Sequence, residues 1–150
     1  MGLEKEIGQQ KPFRNNRLKS MANIIYTCSW TTERLKEIFK RHNLTMQQYN
    51  ILRILRGSKV PMSTNTIRER MLDKMSDTSR VVERMVRKSL VRKKFSLKDR
   101  RLVDITITGQ GPALLRKIDQ YDEEITGLFA GITENEAITL NRLLDKIRKK

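Results

Sequence analysis

The residues with the clearest chemical consequence lie between Arg84 and Arg101. Those 18 positions hold nine bases, Arg84, Arg87, Lys88, Arg92, Lys93, Lys94, Lys98, Arg100 and Arg101, against a single acid, Asp99. The segment thus carries +8 of the chain's formal +15. Guanidinium and ammonium groups at this density are donors for phosphate oxygens. Charge of this size points to a polyanionic partner, nucleic acid first and an anionic membrane surface second. A merely solvated face has no need to concentrate its charge in one stretch.

Other chemistries find few residues to use. Cys28 and His42 are the only cysteine and histidine, which excludes an internal disulfide, a thiolate metal cluster and an ordinary tetrahedral zinc site. There is no Gly-rich phosphate loop, no paired His and acid, and no nucleophile with an adjacent base. With 5% aromatic residues the chain lacks the stacking surface of many single-strand RNA binders. Met1–Lys19 is polar and resembles no signal peptide, and no apolar run reaches membrane-spanning length. The expectation is a cytoplasmic binding protein, not an enzyme, with no cofactor, no metal and no membrane association.

The basic segment must be positioned by what surrounds it. Residues 1–15, with Pro12, read as a flexible arm. From Asn16 to Arg41 a long helix is expected, its stripe formed by Leu18, Met21, Ile24, Ile25, Cys28, Leu35, Ile38 and Phe39. Thr45-Met46-Gln47-Gln48 has the form of a capping box. It opens a helix that turns Tyr49, Leu52 and Leu55 inward. Val60-Pro61-Met62 reads as a short extended piece. Ser63 caps a short helix containing Ile67 and Met71, and Asp73-Lys74-Met75 forms a turn. A third helix, capped by Ser76 and running to Lys88, buries Val81, Val82, Met85 and Val86 beneath a polar, basic outer face. Two short helices, a tight turn and such a second helix are the organisation of a helix-turn-helix.

The period then shortens to two. Leu90 to Phe95 runs extended, Ser96 to Arg100 has turn chemistry, and Val103, Ile105 and Ile107 alternate with Asp104 and Thr106. This is a β-hairpin with a basic tip, and after a helix-turn-helix such a hairpin is a wing. Helical periodicity returns with Leu114, Leu115, Ile118, Tyr121, Ile125, Leu128 and Phe129, until Gly131 interrupts it. A second capping box, Thr133 to Glu136, starts a final helix with Ala137, Leu140, Leu143, Leu144 and Ile147, ending on Arg148-Lys149-Lys150. The fold class is mainly α with a small β-hairpin wing (α+β), a single compact domain overall. Its winged helix-turn-helix spans 45–108 between helical regions 16–44 and 109–150.

Three pieces of this pattern carry a family resemblance. They are Asp99-Arg100-Arg101 leading into Ile105-Thr106-Ile107-Thr108; Leu44-Thr45 with Gln48-Tyr49; and Val81-Val82-Glu83-Arg84-Met85 followed by Leu90-Val91. From Arg17 onward the chain resembles the MarR family of bacterial regulators. The resemblance implies a homodimer held by the first and last two helices, binding double-stranded DNA at pseudo-palindromic operators. It also implies a repressor released by a small molecule or another signal. An effector pocket between the dimerisation region and the winged region would draw on Met21, Ile25, Trp30, Tyr49 and Met71. Two departures stand out. Ser89 replaces a usual glycine at the exit of the recognition helix, at some expected cost in stability. Pro112 suggests a later start for the following helix.

Position assigns roles within the site. A helix in the major groove offers its N-terminal side chains to base edges, here Ser76, Asp77, Thr78, Ser79 and Arg80. Arg80 leads, either on guanine or on a phosphate, with Asp77 capping the helix or orienting it. Arg84, Arg87 and Lys88 fall to phosphates or solvent, and Lys93 and Lys94 to phosphates. At the wing tip stand Lys98, Arg100 and Arg101. Arg101 matches the family's signature arginine, held by Asp99 through a charge-assisted hydrogen bond, while Arg100 points outward. The sequence leaves open which of the two enters the minor groove. Cys28 lies 17 residues before Thr45 with no adjacent base, and reads as a buried structural cysteine, not a redox sensor. The rival readings are a non-specific nucleic-acid-binding architectural protein and an adaptor that meets a protein partner through its wing.

Overall fold

The computed structural model describes residues 2–99 and 101–149, so the expectations for Arg100 and Lys150 lie outside the described residues. The chain divides into two compact units, Met1–Met46 and Gln47–Lys150.

The first unit holds two helices, α1 (Leu3–Glu6) and α2 (Asn16–Lys40). The arm expected to be loose therefore contains one helical turn, with Leu3 buried and Glu4 ion-paired to Lys19 at 2.8 Å. Helix α2 starts where an asparagine can satisfy an orphan donor: the Asn15 side chain accepts from the Leu18 N–H at 3.0 Å. It ends before Asn43, whose φ of 53° is the left-handed conformation that asparagine tolerates best after glycine. Of its 25 residues only Ile38 and Phe39 are buried. Leu18, Met21, Ile24 and Ile25 are exposed. So is Cys28, which corrects its reading as a buried cysteine: the stripe it belongs to is uncovered over most of its length.

The second unit contains the remaining elements. These are α3 (Met46–Arg56), β1 (Met62–Ser63), α4 (Thr64–Arg70), α5 (Thr78–Arg87), β2 (Val91–Phe95), β3 (Val103–Ile107), α6 (Gln110–Asp119), α7 (Asp122–Gly127) and α8 (Glu134–Arg148). The strands form one antiparallel sheet in the order β1-β3-β2. Val91 pairs with Ile107 and Phe95 with Val103, while Met62 of β1 pairs with Ile105. The extended piece around Pro61 is thus the third strand of the sheet, and it anchors the base of the hairpin. Ile51, Leu52, Ile67, Met71, Val82, Met85, Ile105, Leu115 and Ile118 are all essentially fully buried.

Helix α6 begins at Gln110, earlier than Pro112 suggests. A proline in the first turn removes only an N–H that has no intrahelical acceptor. Gly111 is required by packing: a Cβ there would lie 2.5 Å from Ile107 Cγ1 and 3.1 Å from the Leu90 carbonyl oxygen. The long stripe expected through Phe129 is broken at Gln120–Tyr121. The Tyr121 N–H reaches back only three residues, to Ile118 O at 2.8 Å, and α7 restarts with Asp122, Glu123 and Glu124 at its positive end. Helix α8 opens on the expected capping box. Glu136 N–H donates to Thr133 Oγ1 at 3.3 Å, and the Thr133 N–H to Glu136 Oε2 at 2.8 Å. None of its residues is buried.

Candidate nucleic-acid interface

Helix α5 starts at Thr78, one residue later than a Ser76 cap suggests, because Asp77 is the cap. Its Oδ1 accepts from the Arg80 N–H at 3.2 Å, and its Oδ2 pairs with Arg80 Nε at 3.3 Å. One carboxylate therefore closes the helix and steadies the guanidinium beside it. The Ser76 hydroxyl instead donates to the Asp73 carbonyl at 3.0 Å and belongs to the preceding turn.

This shift rearranges the expected base-reading set. Asp77, Ser79 and Arg80 are exposed, and Ser76 is half-buried. Thr78 is 1% exposed, so it faces the core with Val81, Val82 and Met85 and offers nothing to a groove. That is a correction with a simple cause: polarity marks threonine as a surface residue, but its position at the start of the buried stripe decides. Further along, Arg84 and Arg87 are exposed. Lys88 turns back, its Nζ 3.3 Å from Gln48 Oε1 of α3.

The exit from α5 links helix to wing. Ser89 has a φ of 56°, the left-handed turn inferred from the position, and Leu90 N–H donates to Met85 O at 3.0 Å. The Thr108 hydroxyl donates to Ser89 O at 2.5 Å, and the Thr108 N–H to Leu90 O at 3.0 Å, so both ends of the hairpin are fastened at this turn. Lys93 leans onto Glu83 of α5, and the hydrogen bond from its ammonium holds the Glu83 carboxyl below the usual range. Lys94 is exposed and stands opposite Asp104 in the ladder. Arg92, outside the sets expected from position, lines an open cleft of about 600 Å³ with Lys93, Lys94, Ser89 and Gln110. Only the density of bases in the segment pointed to it.

The wing tip is tightly knit. Ser96 N–H donates to Leu102 O and Leu102 N–H to Asp99 O, both at 2.9 Å. The buried Ser96 hydroxyl accepts from the Lys98 N–H at 3.2 Å. Asp99 Oδ1 accepts from the Arg101 N–H at 2.9 Å and lies 3.3 Å from its Nε, the pairing the motif suggests. The Arg101 side chain is nonetheless 91% exposed, so the aspartate sets its direction without hiding its charge. Lys98 is exposed as well, and Phe95, Leu97 and Leu102 are exposed apolar neighbours in the same hairpin.

The residues suggested for an effector pocket differ in their surroundings. Met71 is buried, whereas Met21 and Ile25 are exposed. Trp30 is half-buried beneath the Arg34 guanidinium, 4.0 Å from the ring centre. Tyr49 is half-buried, and burial pushes its hydroxyl above the ordinary phenol range. Among the described residues no helix is long and apolar enough to cross a membrane.

No family model matches the chain. The homoprotocatechuate degradative operon repressor of Escherichia coli is 31% identical over 112 residues, which are 74% of this chain and 75% of that protein. Among solved structures, a MarR mutant from Escherichia coli in complex with operator DNA superposes with a TM-score of 0.80 at 20% identity, over 92% of this chain and all of that one. Bordetella bronchiseptica BpsR, whose DNA binding is regulated by 6-hydroxynicotinic acid, gives a TM-score of 0.77 at 22% identity, over 93% of this chain and 99% of that one.

Proposed function

The chain belongs to the MarR family of winged helix-turn-helix transcription regulators, which bind DNA and are not enzymes, and we propose that it is a homodimeric repressor of a pseudo-palindromic operator. In this reading α5 enters the major groove with Arg80 and Ser79 foremost, and the wing reaches the adjacent minor groove with Arg101. The observation that carries it is the wing tip. An arginine aimed by an aspartate yet left almost wholly in solvent is a donor prepared for a phosphate or a base edge. Arg84, Arg87, Lys94 and Lys98 are the phosphate contacts. Lys88 and Lys93 serve mainly to brace α5 against α3 and the wing.

Dimerisation would use the first and the last two helices, and the exposed apolar side chains of α2 and of α8 support this, as two-fold operators require two-fold proteins. Repression is supported by the name of the Escherichia coli relative, and release by a small molecule by the regulation of BpsR.

Selection of bound sequences from random duplex DNA tests the reading. It should return a short inverted repeat with half-sites centred roughly 34–36 Å apart. Affinity should fall steeply with salt, with a log–log slope of about −0.9 for each phosphate neutralised. Arg101→Ala should weaken binding more than Arg148→Ala. Uniform coating of DNA with no selected sequence would instead establish the architectural role that the net charge also fits.

A further inference from the structure

Leu97 is completely exposed at the outermost turn of the wing. It stands in a hairpin tip that carries two further exposed apolar side chains, Phe95 and Leu102. On one face of the hairpin, Val91 and Ile105 are buried at the base, and the same face continues past the core to Phe95, paired with Val103 and 73% exposed. Leu102, also exposed, is joined to Ser96 by a hydrogen bond, one register step beyond the Phe95–Val103 pair, and the two-residue alternation sets it on the opposite face from Phe95. Water meets all three, an arrangement that a hairpin serving only as a scaffold for charge would not need.

The tip is set among cations: Lys94, Lys98 and Arg101 are exposed around it, and of the two nearby acids Asp99 is engaged with Arg101 while Asp104 stands opposite Lys94 in the ladder. An apolar point inside a ring of positive charge complements a narrow anionic groove with apolar sugar walls. It would repel a partner that is merely greasy or merely basic. The backbone of the tip is stiffened by four local hydrogen bonds, so the exposed leucine rides on a firm turn before any partner arrives.

We propose that Leu97 is a wedge: on binding, it enters the minor groove beside Arg101, pries apart one base step and bends the operator. This rests on the reading of the wing as a minor-groove element. It adds a source of sequence preference that makes no hydrogen bond, since flexible pyrimidine–purine steps open at the smallest cost.

The test uses the full chain and a duplex recovered by selection from a random library. 2-Aminopurine is placed in turn at each base of the flanks that the wing protects from a minor-groove cleavage reagent. The wild-type chain should raise the fluorescence at one step in each half-site, and end-labelled duplexes should show a bend by energy transfer. Leu97→Ala should abolish the fluorescence rise, reduce the bend and weaken binding about tenfold. Leu97→Met, which keeps an apolar point, should retain most of each signal. Arg101→Ala separates the two readings. If it leaves affinity and wing protection untouched, the minor-groove reading itself fails. If the wing protects the groove but no step brightens, or Leu97→Ala bends DNA as the wild type does, the wedge is overturned. A change of sedimentation coefficient in Leu97→Ala with an unaltered bend would likewise overturn it, assigning Leu97 to a protein contact.

Discussion

Helix α5 buries Thr78, Val81, Val82 and Met85 within ten residues, whereas α8, half as long again, buries none of its fifteen. Both have an apolar stripe. That of α5 lies against α4 and β2, so its partners are in the same chain. In α8 the side chains of Ile138, Leu140, Leu143 and Ile147 remain in water. Each such side chain, about half exposed, forgoes about 1 kcal/mol of burial. An amphipathic pattern therefore predicts a buried face without saying which molecule buries it. In this chain α5 is finished within the chain, and the terminal helix fits completion by a second copy.

Substitution on each helix should separate these cases. Met85→Ala, emptying space in a fully buried site, should cost about 2–5 kcal/mol in a urea titration and abolish DNA binding with it. A loss under about 1 kcal/mol would show that α5 is less firmly seated than its burial implies. Leu143→Glu should leave the helical circular dichroism nearly intact at high protein concentration. It should weaken self-association by about 2–3 kcal/mol, seen as a slower species in sedimentation velocity. An unchanged species would show that α8 is not the joint.

Smaller changes sharpen the comparison at the ends of the winged region. Ser89→Gly relieves a left-handed residue at the exit of α5 and should raise stability by about 0.5–1 kcal/mol, read as a higher urea midpoint with an unchanged slope. At the other end, Asp119 of α6 holds Arg56 of α3 through contacts of 2.6 and 3.3 Å. The hydrogen bond from Arg56 keeps the Asp119 carboxyl below its ordinary range. A carboxylate with a lowered folded-state pKa stabilises the fold above its unfolded pKa, and that stabilisation is lost as pH falls through the folded value. Asp119→Asn should therefore cost about 0.5 kcal/mol at neutral pH, and the difference from wild type should vanish on acidification. A difference that persists in strong acid would assign the effect to packing.

Much of the fold was legible because its signals are periodic. The span of α2, the short α4, the alternation of β3 and the capping box of α8 all follow from spacing or cap chemistry. The misplaced details arise where two residues compete for one role. Ser76 and Asp77 are both good caps, and only the turn geometry gives the serine to Asp73 and the aspartate to Arg80. The break at Gln120–Tyr121 has no glycine or proline to announce it. Within the site, the density of bases was plain, but which of them are occupied was not. Gln48 lies 40 residues from Lys88 in the chain, a pairing that only the folded arrangement of α3 and α5 creates.

The sheet order has a consequence for handling the protein. With β3 in the middle, β2 is a free edge of five residues whose outer hydrogen-bonding groups are open to any other extended chain. Arg92, Lys93 and Lys94 sit along that edge, and like charges there resist strand-to-strand stacking between molecules. The same side chains proposed to meet phosphates are thus guards against aggregation. Replacing all three with alanine should produce a chain that precipitates on concentration, while replacement with glutamate should remove DNA binding and keep the edge guarded.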